Sequence, residues 1–136
     1  MAEKPLRRVA KIADGFMLAQ VWPGLFATLW LRLERYLRDE GRDPDGFPTV
    51  AYMNINITRD RQSALAETKR FLEEYYGPVF SPEMTAAWTA AGTPAQCAEH
   101  LHELIKARAK AIALRITGWD QKARLAGEVV PLFEDW

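Results

Sequence analysis

One short stretch of the chain gathers donors that could hold a metal: Cys97, Glu99, His100, His102 and Glu103. Thiolate, imidazole and carboxylate are the ligands zinc takes. On a helix Cys97 and His100 share a face, but His102 stands two positions from His100 and points away. Two imidazoles on one ion normally stand at i and i+4, so the stretch reads as a solvated helix face with a semi-buried cysteine, and no metal is expected. Arg115 is a second candidate, because a guanidinium makes charge-assisted, bidentate bonds to phosphate or carboxylate. The same position also suits an internal carboxylate partner or a solvent-facing strand end. The ring of Trp119 can stack on another ring or pack against a helix. Asn54 and Asn56 interrupt an apolar run with amides that can bond a ligand edge or fill a polar interior. Arg7, Arg8 and Lys11 form a small basic patch of solvated-helix type. The chain has no GxSxG elbow, P-loop or GxGxxG turn.

The elements that must position these residues are punctuated by Gly and Pro. Pro5–Asp14 reads as a short amphipathic helix with Leu6, Val9, Ala10 and Ala13 on one side, and Gly15 is suited to a left-handed cap. Phe16–Ala19 is a buried-strand run. Leu25–Glu40 carries a wide apolar stripe. Gly41–Pro48 is a loop, and Thr49–Thr58 is a strand rich in β-branched residues. A helix runs from about Asp60 to Tyr76. Ser81-Pro82-Glu83 opens another, predicted to end at Gly92. Thr93 and Gln96 form a capping box for a helix to about Arg108. Ala111–Thr117 is a strand, and Gly118-Trp119-Asp120 turns into a last helix through about Phe133.

Size and charge bound the function. The chain has 136 residues, 49% apolar and 26% charged, which are single-domain globular proportions. Eighteen Lys plus Arg balance eighteen Asp plus Glu, which removes the electrostatic argument for nucleic acid. A single cysteine excludes an internal disulfide and fits a reducing compartment, so the cytoplasm is expected. The start, Met1 to Lys11, has no apolar leader core. The longest uncharged stretch, Gly15–Leu31, holds Gln20 and a Pro23-Gly24 break, so no membrane span is expected.

Strands alternating with helices imply βαβ units and an α/β fold with a parallel sheet. In the middle strand Met53, Ile55 and Ile57 alternate with Tyr52, Asn54 and Asn56. In the last strand Ile112, Leu114 and Ile116 alternate with Ala111, Ala113, Arg115 and Thr117. An open doubly wound sheet favours apolar residues on both faces, whereas a barrel holds layered side chains inside and polar functional ones at its C-terminal end. A complete (β/α)8 barrel needs about 250 residues, so the chain cannot be one, and the strand pattern alone leaves open a doubly wound sheet or part of a barrel.

The ordered set Leu6–Phe16 (LRRVAKIADGF), Gly41-Arg42-Asp43-Pro44, Asn56–Asp60 with an Ala-rich helix, Ala91–Leu101 (AGTPAQCAEHL), Leu114-Arg115 and Val129-Val130-Pro131 resembles the C-terminal part of the bacterial luciferase-like monooxygenase family. These are flavin- or deazaflavin-dependent oxidoreductases on a TIM barrel. The resemblance implies an α/β fold that is a partial TIM barrel of about three parallel strands with flanking helices, the strands similar to the sixth, seventh and eighth of that barrel. It implies FMN or deazaflavin (F420) as cofactor, a small-molecule substrate, and oxygen activation or hydride transfer as the reaction class. It also implies that the first five strands, the phosphate-binding loop and the principal catalytic residues lie outside the chain. Arg115, Trp119, Asn54 and Asn56 are then the candidate cofactor contacts, with Trp22 more suited to packing. The family usually has a glycine near Arg108, so that turn is either strained or built differently. Helices on one side of three strands leave two free edges and one bare sheet face, so a homo-oligomer or a complementing chain is expected. The chain is read as an oxidoreductase segment, inactive unless complemented; the alternative is a non-catalytic remnant or binding domain acting as a homo-oligomer.

Overall fold

A computed structural model describes residues 3–133. Its order is α1 (Glu3–Ile12), β1 (Phe16–Ala19), α2 (Pro23–Asp39), β2 (Thr49–Ile57), α3 (Arg61–Tyr76), α4 (Pro82–Ala87), β3 (Thr89–Gly92), α5 (Pro94–Lys106) and β4 (Ala111–Ile116). An α-helical turn over Lys122–Arg124 follows, then a π-helical turn over Leu125–Val129 and a 3-10 turn over Val130–Phe133. β2 is the hub of one sheet of parallel strands flanked by helices: it pairs with β1, β3 and β4. This is the α/β architecture expected of a partial barrel.

The caps follow side-chain chemistry. Pro23 opens α2, where its missing N–H is no loss. Gly41 closes it at φ +70°, with the Arg42 amide donating to the Leu37 carbonyl at 2.8 Å. The Asp60 carboxylate accepts from the Gln62 and Ser63 amides and starts α3. Ser81 accepts from the Met84 amide at the head of α4. The Thr93–Gln96 capping box forms as expected, with the Thr93 amide donating to Gln96 Oε1 at 2.9 Å and the Gln96 amide to Thr93 Oγ1 at 3.3 Å.

The chain divides into two compact units. The first comprises Met1–Tyr52 and Glu103–Ala113. Its core is built by Leu6 and Ala10 of α1, Phe26, Leu29, Leu33 and Leu37 of α2, and Phe16 and Leu18 of β1, all buried. β1 runs parallel to the first half of β2, with Phe16 opposite Thr49 and Ala19 opposite Tyr52. The second unit comprises Met53–His102 and Leu114–Trp136. There β3 runs parallel to the second half of β2, with Asn54 opposite Thr89 and Ile57 opposite Gly92.

Several expectations need correction. Gly15 is not left-handed; a Cβ there would lie 3.1 Å from the Pro48 carbonyl oxygen, so the residue is small because the chain crosses tightly before β2. The helix after Ser81 does not reach Gly92. Thr89–Gly92 is a fourth strand, because the Asn54 amide takes the Trp88 carbonyl and the Thr58 amide takes that of Gly92; tertiary pairing overrides the helix preference of Ala90 and Ala91. The last helix is a short series of unlike turns, interrupted where Pro131 lacks a donor. The sheet is not bare on one face throughout: in the second unit Met53, Ile55 and Ile57 and also Asn54 and Asn56 are buried. Arg108 sits at φ +78°, which makes the strained version of that turn the one adopted. Among the described residues no helix is long and apolar enough to cross a membrane.

Candidate functional site

In the second unit, the ends of β2 and β4 are joined by a buried polar network. Asn56 is fully buried and its side chain is the centre of it. Its Nδ2 donates to Glu67 Oε2 at 2.8 Å, to the Ala64 carbonyl at 3.3 Å and to Thr68 Oγ1 at 3.4 Å, all on α3. Its Oδ1 accepts from Gln121 Nε2 at 2.9 Å. Gln121 Oε1 in turn accepts from the Ile57 amide at 2.7 Å, where a further strand partner would otherwise be needed. Thr68 and Thr117 share a 2.7 Å hydroxyl bond. The amides that interrupt the apolar run thus meet a matched set of donors and acceptors, as buried polar groups must.

Gly118 makes this arrangement possible. A Cβ there would lie 2.7 Å from Gln121 Oε1 and closer still to Nε2 and Cδ. Asp120 adopts φ +50° to bring Gln121 back beneath the strand end. Arg124 also ties this segment to β2, its Nη1 donating to the Ile57 carbonyl at 2.6 Å. The same guanidinium forks onto Glu128 at 2.8 and 3.0 Å and holds that carboxyl below its ordinary range.

The four sequence-predicted site residues have different surroundings. Asn54 is buried, its Nδ2 donating to the Trp88 carbonyl at 3.1 Å, and Asn56 is the network centre. Arg115 is half-buried; it donates to the Tyr76 hydroxyl at 2.8 Å, with its guanidinium carbon 5.3 Å from the Tyr76 ring centre and 5.6 Å from that of Tyr75. Trp119 is 92% exposed, on the turn that Gln121 pins. Asn56 and Trp119 are therefore connected through Gln121, whereas Arg115 is engaged at the C-terminal turn of α3. Trp22, in the first unit, is partly exposed. The sequence reading missed Gln121, Gly118 and Thr68; the paired asparagines were the one signal that a polar partner had to exist.

Cys97 is wholly buried rather than semi-buried. Its Sγ faces the carbonyls of Ala90 at 3.5 Å and Gly92 at 3.6 Å. Burial pushes its thiol up to about 11, so it is neither a nucleophile nor a ready metal ligand. Among the described residues no group of three or more His, Cys, Asp or Glu could hold a metal ion.

No protein-family model and no curated protein matches the chain. Solved structures do. An F420-dependent secondary alcohol dehydrogenase, solved with an F420–acetone adduct, superposes with a TM-score of 0.78 at 11% identity, over 90% of this chain and 43% of its own. The coenzyme F420-dependent tetrahydromethanopterin reductase of Methanopyrus kandleri gives 0.73 at 19% identity, over 98% and 49%. The long-chain alkane monooxygenase LadA gives 0.71 at 16% identity, over 99% and 39%. At 11 to 19% identity these superpositions show a shared fold. The chain spans less than half the length of each of these three.

Proposed function

We propose that the chain is a segment of a luciferase-like barrel, that it forms one wall of a flavin- or deazaflavin-binding site, and that it works in catalysis only with further barrel strands. One observation carries this reading: the superposition covers 90 to 99% of this chain on enzymes of which it spans 39 to 49%. The cofactor, when bound, supplies the two-electron chemistry. The residues of this chain hold and shield. Trp119 offers an open ring, which suits a planar cofactor. Asn54 and Asn56, through their bonds to Trp88 and Gln121, shape the strand ends behind it, and Arg115 stiffens the wall through the Tyr76 contact. A small-molecule substrate would complete the site from the other strands.

The partner is either further copies of this chain or a chain that supplies strands. β4 favours association, since five of its six residues, Ile112 to Ile116, are half-exposed and the first, Ala111, is exposed. An apolar strand open in this way invites pairing. The second reading, a non-catalytic homo-oligomer placed like the first in the cytosol, rests on the same strand. Light scattering at micromolar concentration, followed by gel filtration with FMN and with the deazaflavin, tests both. We expect an assembled species that retains a yellow cofactor at low occupancy and turns nothing over alone. A clean monomer that stays colourless in both incubations would overturn the first reading. Flavin-dependent turnover by the lone chain would eliminate the second.

A further inference from the structure

We infer that the cleft between α1 and α2 is a binding site for an elongated aliphatic zwitterion of the ω-amino acid type. The ligand's carboxylate lies against Arg8 and Lys11, its ammonium against Asp39 and Glu40, and its hydrocarbon body along Ile12 and Tyr36. Both helices belong to the first unit, and the site owes nothing to the proposed cofactor wall.

The first observation is the cleft itself. It holds about 320 Å³, at the small end of sites that take small molecules. Residue spacing builds its two walls. Arg8, Lys11 and Ile12 share one face of α1 at steps of three and four, and Tyr36, Asp39 and Glu40 share one face at the end of α2 in the same way; all six line the cleft. Most of the lining surface is apolar, because the long charged side chains present their hydrocarbon stems. Ile12 is 72% exposed, which leaves an aliphatic surface open to a ligand. Arg7, which also lines the cleft, is already engaged: its Nε donates to Glu3 Oε1 at 2.8 Å, and its guanidinium carbon lies 4.3 Å from the centre of the buried Tyr36 ring.

The second observation is that opposite charges face one cleft without meeting. Arg8 and Lys11 on the α1 side and Asp39 and Glu40 on the α2 side are all exposed, and none of the four makes an ion pair among the described residues. Asp39 acts on Arg7 only at longer range. A ligand with one charge satisfies one wall and leaves the other, whereas a ligand with a charge at each end satisfies both. The acidic wall lacks a cation for a further reason. Asp39 and Glu40 stand at the C-terminal end of α2, where the last carbonyls carry negative partial charge. The base of that last turn, Arg38, is taken up by Glu34 at 2.8 Å. The ammonium end of the ligand supplies the missing positive charge.

Calorimetric titration of the whole chain with ε-aminocaproate, caproate, hexylamine and glycine tests this. The zwitterion ε-aminocaproate should saturate a single site per chain. Caproate and hexylamine, each with one of its two charges, should bind about fivefold weaker or worse, the size of one lost exposed ion pair. Glycine, which has both charges and no spacer, should fall behind by a similar factor. Arg8→Glu with Lys11→Glu should weaken ε-aminocaproate about tenfold and tighten hexylamine. Asp39→Asn with Glu40→Gln should bring ε-aminocaproate to the affinity of caproate, and should not lower the melting temperature, because it removes two acids from the negative end of a helix. All four side chains are exposed, so both double variants fold. Caproate, hexylamine or glycine binding as tightly as ε-aminocaproate would overturn the inference. So would the absence of saturable ε-aminocaproate binding to wild type, or wild-type affinity in both double variants. If no probe binds and Arg8→Glu with Lys11→Glu instead lowers the mass seen in light scattering, the cleft is a contact between copies and the ligand site is refuted.

Discussion

Replacing Gly118 with alanine should break the network at the β2–β4 end. The new methyl would occupy the position of the Gln121 amide, so that amide must leave. Its departure strips the Ile57 amide of its 2.7 Å acceptor and Asn56 Oδ1 of its 2.9 Å donor. Each is a buried polar group left unsatisfied, worth about 1–3 kcal/mol, so a loss of about 2–6 kcal/mol is expected. That is a large fraction of the total stability of a domain this size. Urea unfolding followed by circular dichroism gives the loss as a shift in midpoint at constant slope. Gln121→Ala should lose a similar amount, and Gly118→Ala made in that background should then cost little, because there is no amide left to displace. The coupling in this double-mutant cycle is therefore expected to be about 2 kcal/mol or more. Additive losses, or a Gly118→Ala loss under about 1 kcal/mol, would refute the assignment of Gln121 as the group that closes the strand end.

Arg108→Gly should stabilise the chain by about 1 kcal/mol, read as a higher urea midpoint, because it relieves a left-handed non-glycine residue and gives up only an exposed 3.4 Å contact to Asp45. Cys97 should resist a thiol reagent at pH 8 until the chain is unfolded. Its thiol is raised to about 11 in the fold, so the unfolded chain deprotonates first; the stability advantage of wild type over Cys97→Ala is full below about pH 8.5 and is lost as pH rises toward 11. Asp60 runs the opposite way. Its bonds to Ser63 hold the carboxyl below its ordinary value, so the advantage of wild type over Asp60→Ala is present above the usual carboxylate range and fades as pH falls through it. Thermal melts of the pair at a series of pH values would show the two curves converge in acid.

The parallel hub, the helices and the capping box were legible because they rest on local signals: apolar period, Pro and Gly, and a Thr three residues before a Gln. β3 was not, since Thr89-Ala90-Ala91-Gly92 has no strand composition of its own and becomes a strand only by pairing with Asn54–Ile57. Gly15 was misread because a close approach to Pro48, over thirty residues on, leaves no mark in the local sequence. The candidate site was half legible. Asn54, Asn56 and Trp119 stood out by type, but the partner that links Asn56 to the Trp119 turn is Gln121, a residue with no local reason to be buried. Arg115 stood out as a charge late in a strand, and only the fold shows that Tyr75 and Tyr76 receive it.

The threonine pair also settles which alignment of β4 against β2 is allowed. Ala111-Ile112-Ala113-Leu114 repeats every two residues, so sliding β4 by two would leave its greasy pattern unchanged and give hydrocarbon contacts no reason to object. Such a slide would part Thr117 from Thr68 and pull Gln121 away from Ile57 and Asn56, breaking three hydrogen bonds at once. The amides and hydroxyls at the strand end thus act as a proofreading key for an otherwise ambiguous strand.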